Sequence, residues 1–170
     1  MDKPIRIALT GFMGVGKSSV ARHLAHFMNC RRVDLDHLIE ERNGRGVAEL
    51  IDADGIDAYR VLETEALAAE VADPSAVVLS LGGGTWTVAH NREMIRNAGF
   101  STVWLESTFD HCWFNIKASK KERPLARSKD LAIKLFEERQ RHYCLADVHF
   151  VIRPEYNSYD IAKHLAEEFF

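Results

Sequence analysis

The chain has 170 residues, of which 46% are hydrophobic and 28% charged, a balance typical of a folded globular protein. Its 22 lysines and arginines against 25 aspartates and glutamates leave a formal net charge of −3, which argues against general binding of nucleic acid. No apolar run approaches the roughly 20 residues that span a bilayer, so we expect no contact with a membrane.

The cysteine content predicts a reduced compartment. Cys30, Cys112 and Cys144 are odd in number and far apart, which favours neither a disulfide framework nor a zinc site. The N-terminal residues lead directly into a strand-like run, without the pattern of a signal peptide. We therefore expect a cytoplasmic monomer with a single domain over residues 1–170, because this length suits one domain.

Short apolar runs alternate with amphipathic segments along the chain. Strands are predicted over residues 5–10, 32–35, 76–81, 101–105 and 148–152. Helices are predicted over residues 17–29, 38–42, 47–51, 58–71, 88–97, 131–145 and 158–169. Strands separated by helices indicate right-handed crossovers and a parallel sheet covered by helices on both faces. Such sheets bind ligands at the carboxyl ends of their strands.

A phosphate-binding pattern follows the first predicted strand. Residues 11–18 read Gly-Phe-Met-Gly-Val-Gly-Lys-Ser, which fits G-x-x-x-x-G-K-[ST]. Backbone N–H groups at the end of this loop and the start of the next helix can surround phosphate oxygens. They belong to Gly14, Val15, Gly16, Lys17, Ser18 and Ser19. The Lys17 ammonium can reach the β- and γ-phosphates, and the Ser18 hydroxyl can ligate Mg²⁺. Ser19 stands where a dinucleotide fingerprint needs a third Gly or Ala, so that alternative fails.

This loop alone predicts a nucleotide phosphate, and it does not separate a kinase from a switch GTPase or a mechanical ATPase. The chain has no Asn-Lys-x-Asp guanine signature and is short for a motor. A small-molecule kinase therefore fits better, and it requires a site for the phosphoryl acceptor.

Two aspartates close to the second predicted strand are candidates for that chemistry. Strand alternation predicts that Asp34 and Asp36 point to the same side, with Leu35 facing away. Such carboxylates can hold the water shell of Mg²⁺ and accept a proton from an attacking hydroxyl. The alternative is a helix N-cap followed by a second acidic residue.

Charge is distributed unevenly along the chain. Residues 111–143 contain nine basic and four acidic side chains, a net +5, which leaves −8 for the rest. Taken alone, the run favours a solvated surface over a mobile basic flap above an anionic ligand.

The motifs as an ordered set resemble the shikimate kinase family through nearly the whole chain. They are the phosphate loop at 11–18, Asp-Leu-Asp at 34–36, aromatic-Arg-x-x-Glu at 59–63, Leu-Gly-Gly-Gly at 81–84, Arg-Pro-Leu at 123–125 and Arg…Tyr at 139–143. The resemblance implies an α/β three-layer sandwich, namely a P-loop NTPase fold of the nucleoside monophosphate kinase-like type. It also implies a central five-stranded parallel sheet and a mobile basic lid at about 112–128.

The implied reaction is phosphoryl transfer from ATP, with Mg²⁺, to a hydroxyl of shikimate, which gives shikimate 3-phosphate and ADP. This reaction belongs to the biosynthesis of chorismate and the aromatic amino acids. Two alternatives remain: a kinase of another small polyol or hydroxy acid, and a nucleotide-binding relative without catalysis.

The resemblance assigns roles to individual acceptor-site residues. Arg60 and Arg139 would bind the carboxylate of shikimate, a task suited to guanidinium groups. Asp36 would grip the ring hydroxyls and orient the one that attacks. The backbone of Gly83 would touch the substrate, and Glu63 would orient Arg60.

Further residues are assigned to the phosphoryl group and the metal. Lys17 and Arg123 would act on the transferring group, with Arg123 carried in by the lid. Ser18 would bind Mg²⁺ directly, and Asp34 would support it through water.

Three departures from the family pattern concern the adenine side and the late tyrosine. Residues 115–117 read Asn-Ile-Lys where an arginine usually packs on adenine, and Arg153 is an approximate match to an adenine-side arginine after the last strand. Lys117 or Tyr156 could stack on the base instead. Residues 141–142 read Arg-His in place of Pro-Leu. The three tryptophans are predicted to pack in the core, with Trp86 also a candidate to border the substrate.

Overall fold

Five parallel strands form the centre of the molecule, as the sequence predicts. The computed structural model describes residues 5–169, and the strands are β1 (Arg6–Thr10), β2 (Arg31–Asp34), β3 (Ala76–Ser80), β4 (Phe100–Glu106) and β5 (Val148–Val151). Their order across the sheet is β2-β3-β1-β4-β5. Because β1 lies in the middle, its segment Ile7–Leu9 is completely buried and reads as a continuous apolar run.

Helices surround this sheet in a three-layer α/β sandwich. They are α1 (Lys17–Phe27), α2 (Leu35–Asn43), α3 (Val47–Asp54), α4 (Ile56–Ala72), α5 (Ala89–Asn97), α6 (Phe109–Ala118), α7 (Lys129–Tyr143) and α8 (Ser158–Phe169). Short 3-10 turns cover Thr85–Thr87 and Pro124–Ala126. Within residues 5–169, none of these helices combines the length and apolarity needed to cross a bilayer.

Helix α6 is missing from the sequence prediction. Thr108 caps its first turn by accepting a hydrogen bond from the His111 backbone N–H at 3.2 Å. Cys112 and Ile116 are buried one turn apart, but the equally apolar Phe114 is 72% exposed. Apolar side chains on both sides of the helix hide its amphipathic period in the sequence. The predicted lid at 112–128 therefore begins inside α6, which ends at Ala118.

The prediction that Asp34 and Asp36 share one side of a strand is wrong. Asp34 ends β2 and caps α2, its side chain accepting a hydrogen bond from the His37 N–H at 3.2 Å. Asp36 therefore lies in the first helical turn. The acidic residues at this helix start satisfy a free N–H group and interact favourably with the helix dipole, which ends the strand early.

The strand pairing brings the ends of three strands to one edge of the sheet. Ser80 at the end of β3 is aligned with Asp34 of β2 on one side and with Leu9 of β1 on the other. The loops that follow these strands therefore meet, and they are the loops that carry the predicted motifs.

Candidate active site

A cavity of about 520 Å³ opens at this edge of the sheet. It brings together nearly all the residues that the sequence nominates. Its lining includes Gly14, Val15, Gly16, Lys17, Ser18, Ser19, Asp34, Asp36, Arg60, Glu63, Gly83, Arg123 and Arg139. Arg153 does not line it.

The phosphate loop forms one wall of the cavity and leads into α1. Lys17 is 8% exposed, and its Nζ donates hydrogen bonds to the carbonyls of Gly11 at 2.7 Å and Phe12 at 3.1 Å. Burial lowers the pKa of Lys17 to about 8, although the nearby Asp36 carboxylate partly offsets this effect. The ammonium is thus folded back over the loop that would receive phosphate oxygens.

Helix α6 packs directly on this loop. The Asn115 side-chain amide donates a hydrogen bond to the Gly14 carbonyl at 2.8 Å, and His111, one turn earlier, also lines the cavity. The sequence did not predict the Asn115 contact with the loop or the place of His111 in the cavity lining, because α6 was not predicted. The contact also joins residues that are far apart in the chain.

Oxygen ligands suited to Mg²⁺ meet between α1 and β2. The Ser18 hydroxyl donates a hydrogen bond to Asp34 Oδ2, so a hydroxyl and a carboxylate lie together at the phosphate end of the cavity. Mg²⁺ typically uses one or two such protein ligands and keeps several waters. The donor set therefore fits this cation. In the described part of the chain, no cluster of three or more His, Cys, Asp or Glu residues could hold a metal.

A chain of contacts through the buried Glu63 holds Arg60 in the cavity wall. Arg60 Nη1 lies 2.7 Å from Glu63 Oε1, one turn further along α4. Glu63 is 1% exposed, and its other oxygen accepts a hydrogen bond from the Thr85 hydroxyl at 2.8 Å. Burial raises the pKa of Glu63 above its usual range, while Arg60 opposes the shift. The positioning role of Thr85 has no local sequence signal, because only the fold brings it to Glu63.

Arg139 approaches the same wall from α7. It is 6% exposed, and a Cβ placed on Gly83 would come within 2.9 Å of Arg139 Nη1. Tyr143, one turn later on α7, donates a hydrogen bond to the Gly83 carbonyl at 2.6 Å. Burial raises the pKa of Tyr143 to about 12, which keeps the hydroxyl protonated at neutral pH. The family motif includes Tyr143, and the structure shows the contact that it makes.

Asp36 lies between the two ends of the cavity. Its Oδ1 accepts a hydrogen bond from the Tyr59 hydroxyl at 2.8 Å, and its Oδ2 lies 3.7 Å from Lys121 Nζ. Lys121 belongs to the 119–128 segment, which joins α6 to α7 and also carries Arg123 into the lining. Partial burial lowers the pKa of Arg123 from its usual value, and the Asp36 carboxylate opposes this shift.

The residues proposed for the adenine side differ in whether they line the main cavity. Arg153 faces a second depression on the surface, with its guanidinium carbon 5.8 Å from the Tyr156 ring. Tyr156 itself lines the main cavity, whereas Lys117 lies over the Trp113 ring at 5.7 Å and is absent from that lining. A turn closed by the Tyr156 N–H on the Arg153 carbonyl at 3.0 Å keeps these two residues close together, and Tyr156 borders both depressions.

Trp86 is a packing residue and does not border the cavity. It is completely buried, and its indole N–H donates to the His142 carbonyl at 3.0 Å. This bond ties the end of α7, where the sequence departs from the family pattern, to the turn after the glycine triplet.

The five-stranded parallel sheet, the phosphate loop and the polar cavity that the loop borders define a P-loop kinase that acts on a small molecule. The shikimate kinase family model matches residues 13–169. A shikimate kinase from a Sulfurihydrogenibium species is 35% identical over 143 residues, 84% of each chain, and one from Streptococcus thermophilus is 38% identical over 118 residues, 69% of this chain and 70% of that one. A solved shikimate kinase from Acinetobacter baumannii in complex with shikimate superposes with a TM-score of 0.89 at 27% identity, covering 97% of this chain and 92% of that one.

The chain therefore belongs to the shikimate kinase family. Members of this family transfer a phosphoryl group from ATP to shikimate. The fold, the enzyme class and the reaction implied by the sequence are thereby confirmed.

Proposed function

We propose that this chain carries out the family's reaction through the residues of the main cavity, with Mg²⁺ as the cofactor. One observation carries the proposal: the phosphate loop and the set Asp36, Arg60 and Arg139 line the same cavity. A phosphoryl donor and an acidic alcohol can therefore bind next to each other.

At the donor end, the loop N–H groups and Lys17 bind the phosphates of ATP. Bound phosphate would replace the two carbonyl oxygens that Lys17 now contacts and favour its charged form. Ser18 and Asp34 would hold the cation, which when bound neutralises charge on the β- and γ-phosphates.

At the acceptor end, Arg60 and Arg139 bind the shikimate carboxylate. Glu63 fixes Arg60, while Tyr143 holds the backbone at Gly83 against which Arg139 packs. Asp36 then accepts a hydrogen bond from the acceptor hydroxyl and takes up its proton as the oxygen attacks phosphorus. Two guanidinium groups against one carboxylate favour an acidic substrate over a neutral polyol.

The 119–128 segment supplies positive charge over the reacting groups. Arg123 lines the cavity and stabilises the charge that develops on the transferring phosphoryl group. The same segment excludes water and so disfavours hydrolysis of ATP. For the base, the position of Tyr156 in the cavity lining favours stacking on this residue, and the Arg153 guanidinium lies beside its ring.

We also propose a single-domain cytoplasmic monomer. The three cysteines are free, as expected in a reducing compartment. Size-exclusion chromatography with light scattering would give a mass near 19.3 kDa, whereas twice that mass would contradict the proposal.

The deciding experiment measures shikimate-dependent ADP release with Mg·ATP in a coupled assay. We expect turnover that requires shikimate, ATP and Mg²⁺ together and that is lost in Lys17→Ala. A panel of other hydroxy acids tests the choice of acceptor. ATP binding by calorimetry without transfer to any acceptor would instead support a non-catalytic relative.

Alanine variants of the carboxylate-binding arginines provide the residue-level test. Each of Arg60→Ala and Arg139→Ala should raise KM for shikimate roughly 10- to 100-fold, because a charge-assisted contact is lost. Arg123→Ala should instead lower kcat more than it raises KM. Normal shikimate affinity in Arg60→Ala would contradict the proposed carboxylate site.

A further inference from the structure

The hydrogen bond between Tyr59 and Asp36 has no place in the reaction described above. Tyr59 begins the aromatic-Arg-x-x-Glu block near the start of α4, next to Arg60, and its ring is buried with 3% exposure. Its hydroxyl donates to Asp36 Oδ1 at 2.8 Å. We infer that Tyr59 is a positioning residue that occupies Oδ1 and leaves Oδ2 as the oxygen that receives the acceptor hydroxyl. This inference rests on the proposed function of Asp36.

The surroundings of the two carboxylate oxygens are different. Oδ1 lies beside Gly82, where an added Cβ would be 2.8 Å from Asp36 Oδ1 and 2.9 Å from Glu63 Oε2. The two carboxylates therefore approach the same backbone position and repel each other. The Tyr59 proton is the group that holds Oδ1 in place against this repulsion.

The second oxygen lies near a cavity-lining residue of the 119–128 segment. Lys121, which lines the cavity from the 119–128 segment, lies 3.7 Å from Oδ2, and the Asp36 side chain is 27% exposed. The positive charges of Lys17 in the phosphate loop and Arg123 in the 119–128 segment also attract the Asp36 carboxylate. The Glu63 carboxylate on α4 repels it. An acceptor alcohol that enters the cavity therefore meets Oδ2.

Tyr59 remains a hydrogen-bond donor under all physiological conditions. Burial, followed by the nearby Asp36 and Glu63 carboxylates, raises the pKa of its phenol far above the usual value. A carboxylate without this donor can rotate about its terminal bond, because such torsions are broad. The acceptor hydroxyl would then be aligned for only part of the time.

Tyr59→Phe tests the inference, because it keeps the ring and removes only the hydroxyl. We expect kcat to fall roughly tenfold while KM for ATP stays within twofold, because orientation is lost at the reacting alcohol alone. The concentration of folded enzyme is measured by titration with an ATP analogue, and kcat is calculated from that concentration. Unfolded protein therefore does not lower the measured kcat. Tyr159→Phe, which removes a hydroxyl from a 48% exposed tyrosine on α8, is the matched control and should leave both constants unchanged.

The outcomes separate this inference from the proposed function. A kcat for Tyr59→Phe within twofold of the original enzyme overturns the positioning role. A fall in kcat with an equal rise in KM for ATP also overturns it, because this result indicates a general distortion of the site. Absence of shikimate-dependent turnover in the unmodified enzyme would reject the proposed function instead.

Discussion

The position of the Arg60 guanidinium depends on the absence of a side chain at residue 84. A Cβ on Gly84 would overlap this guanidinium, and Arg60 cannot simply move aside because Glu63 holds it from the other side. The third glycine of the triplet is therefore required for space close to the proposed carboxylate site. The sequence shows the triplet but not its partner.

Gly84→Ala should displace Arg60 and raise KM for shikimate roughly tenfold, comparable to the loss of one charge-assisted hydrogen bond. Steady-state kinetics with varied shikimate measures the effect. Gly46→Ala is the matched control, because the nearest atom to its added Cβ is 3.8 Å away and its φ is −67°. If Gly84→Ala and Gly46→Ala have the same KM for shikimate, Arg60 tolerates the methyl group added at residue 84.

Burial also determines the reactivity of Cys112, which packs beneath the phosphate loop on α6. Its pKa is raised from 9.0 to about 11, mainly by burial, with Lys17 opposing the shift. The thiolate is the reacting form, so a shift of about two units lowers the reactive fraction roughly a hundredfold at pH 8. The shielding of the buried side chain adds to this effect.

We therefore predict that iodoacetamide at pH 8 modifies the exposed Cys144 first and leaves Cys112 unmodified in the folded enzyme. Peptide mass spectrometry after timed quenching measures both sites, and the same reaction in urea should label them equally. Rapid labelling of Cys112 in the native protein would show that α6 opens readily.

At the level of secondary structure, α6 connects the phosphate loop to the 119–128 segment. It contacts the loop through Asn115, and its first turn depends on the cap from Thr108. Capping side chains contribute about 1 kcal/mol because they satisfy N–H groups at the helix start.

Thr108→Ala should lower the free energy of unfolding by about 1 kcal/mol. Urea denaturation followed by circular dichroism provides the measurement. Thr108→Asn retains a good capping oxygen and should stay close to the original stability. If both variants lose the same stability, the Thr108 methyl group and not its hydroxyl is responsible.

In the molecule as a whole, the uneven charge of the sequence corresponds to ion pairs between the 119–128 segment and other elements. Residues 111–143 carry a net +5, and two of their basic side chains form ion pairs with acidic side chains elsewhere in the chain. Arg127 Nη2 lies 2.6 Å from Asp52 Oδ2 on α3, and Lys121 pairs with Asp36. These exposed pairs are individually weak, so bound ligands should control how firmly the segment is held.

Binding of both substrates should therefore protect the 119–128 segment from trypsin, which cleaves after lysine and arginine. We expect cleavage at least several-fold slower with shikimate and a non-hydrolysable Mg·ATP analogue than with neither, because ligands stabilise the state that they bind. Electrophoresis and mass spectrometry of the fragments measure the rate. Cleavage within this segment at the same rate with and without ligands would contradict closure over the site.

Much of the fold and the phosphate-binding half of the site can be predicted from residues that are neighbours in the sequence. The five strands and the phosphate loop are local features, because a strand reads as an apolar run and the loop needs only consecutive glycines before Lys17 and Ser18. For the start of α2 and for the whole of α6, competing local signals led to the wrong prediction. A capping aspartate ended β2 at Asp34, and apolar residues on both faces obscured α6.

The sequence by itself determined the phosphate loop, the parallel sheet and, through an ordered set of motifs, the family. Only the tertiary structure decided which side chains meet: Tyr59 with Asp36, Glu63 with Thr85, and Arg139 with Gly83, while Arg153 lines a second depression. The physical reason is that a short segment specifies its own backbone conformation. Contacts between distant segments depend on the strand order β2-β3-β1-β4-β5 and on the packing of helices against that sheet.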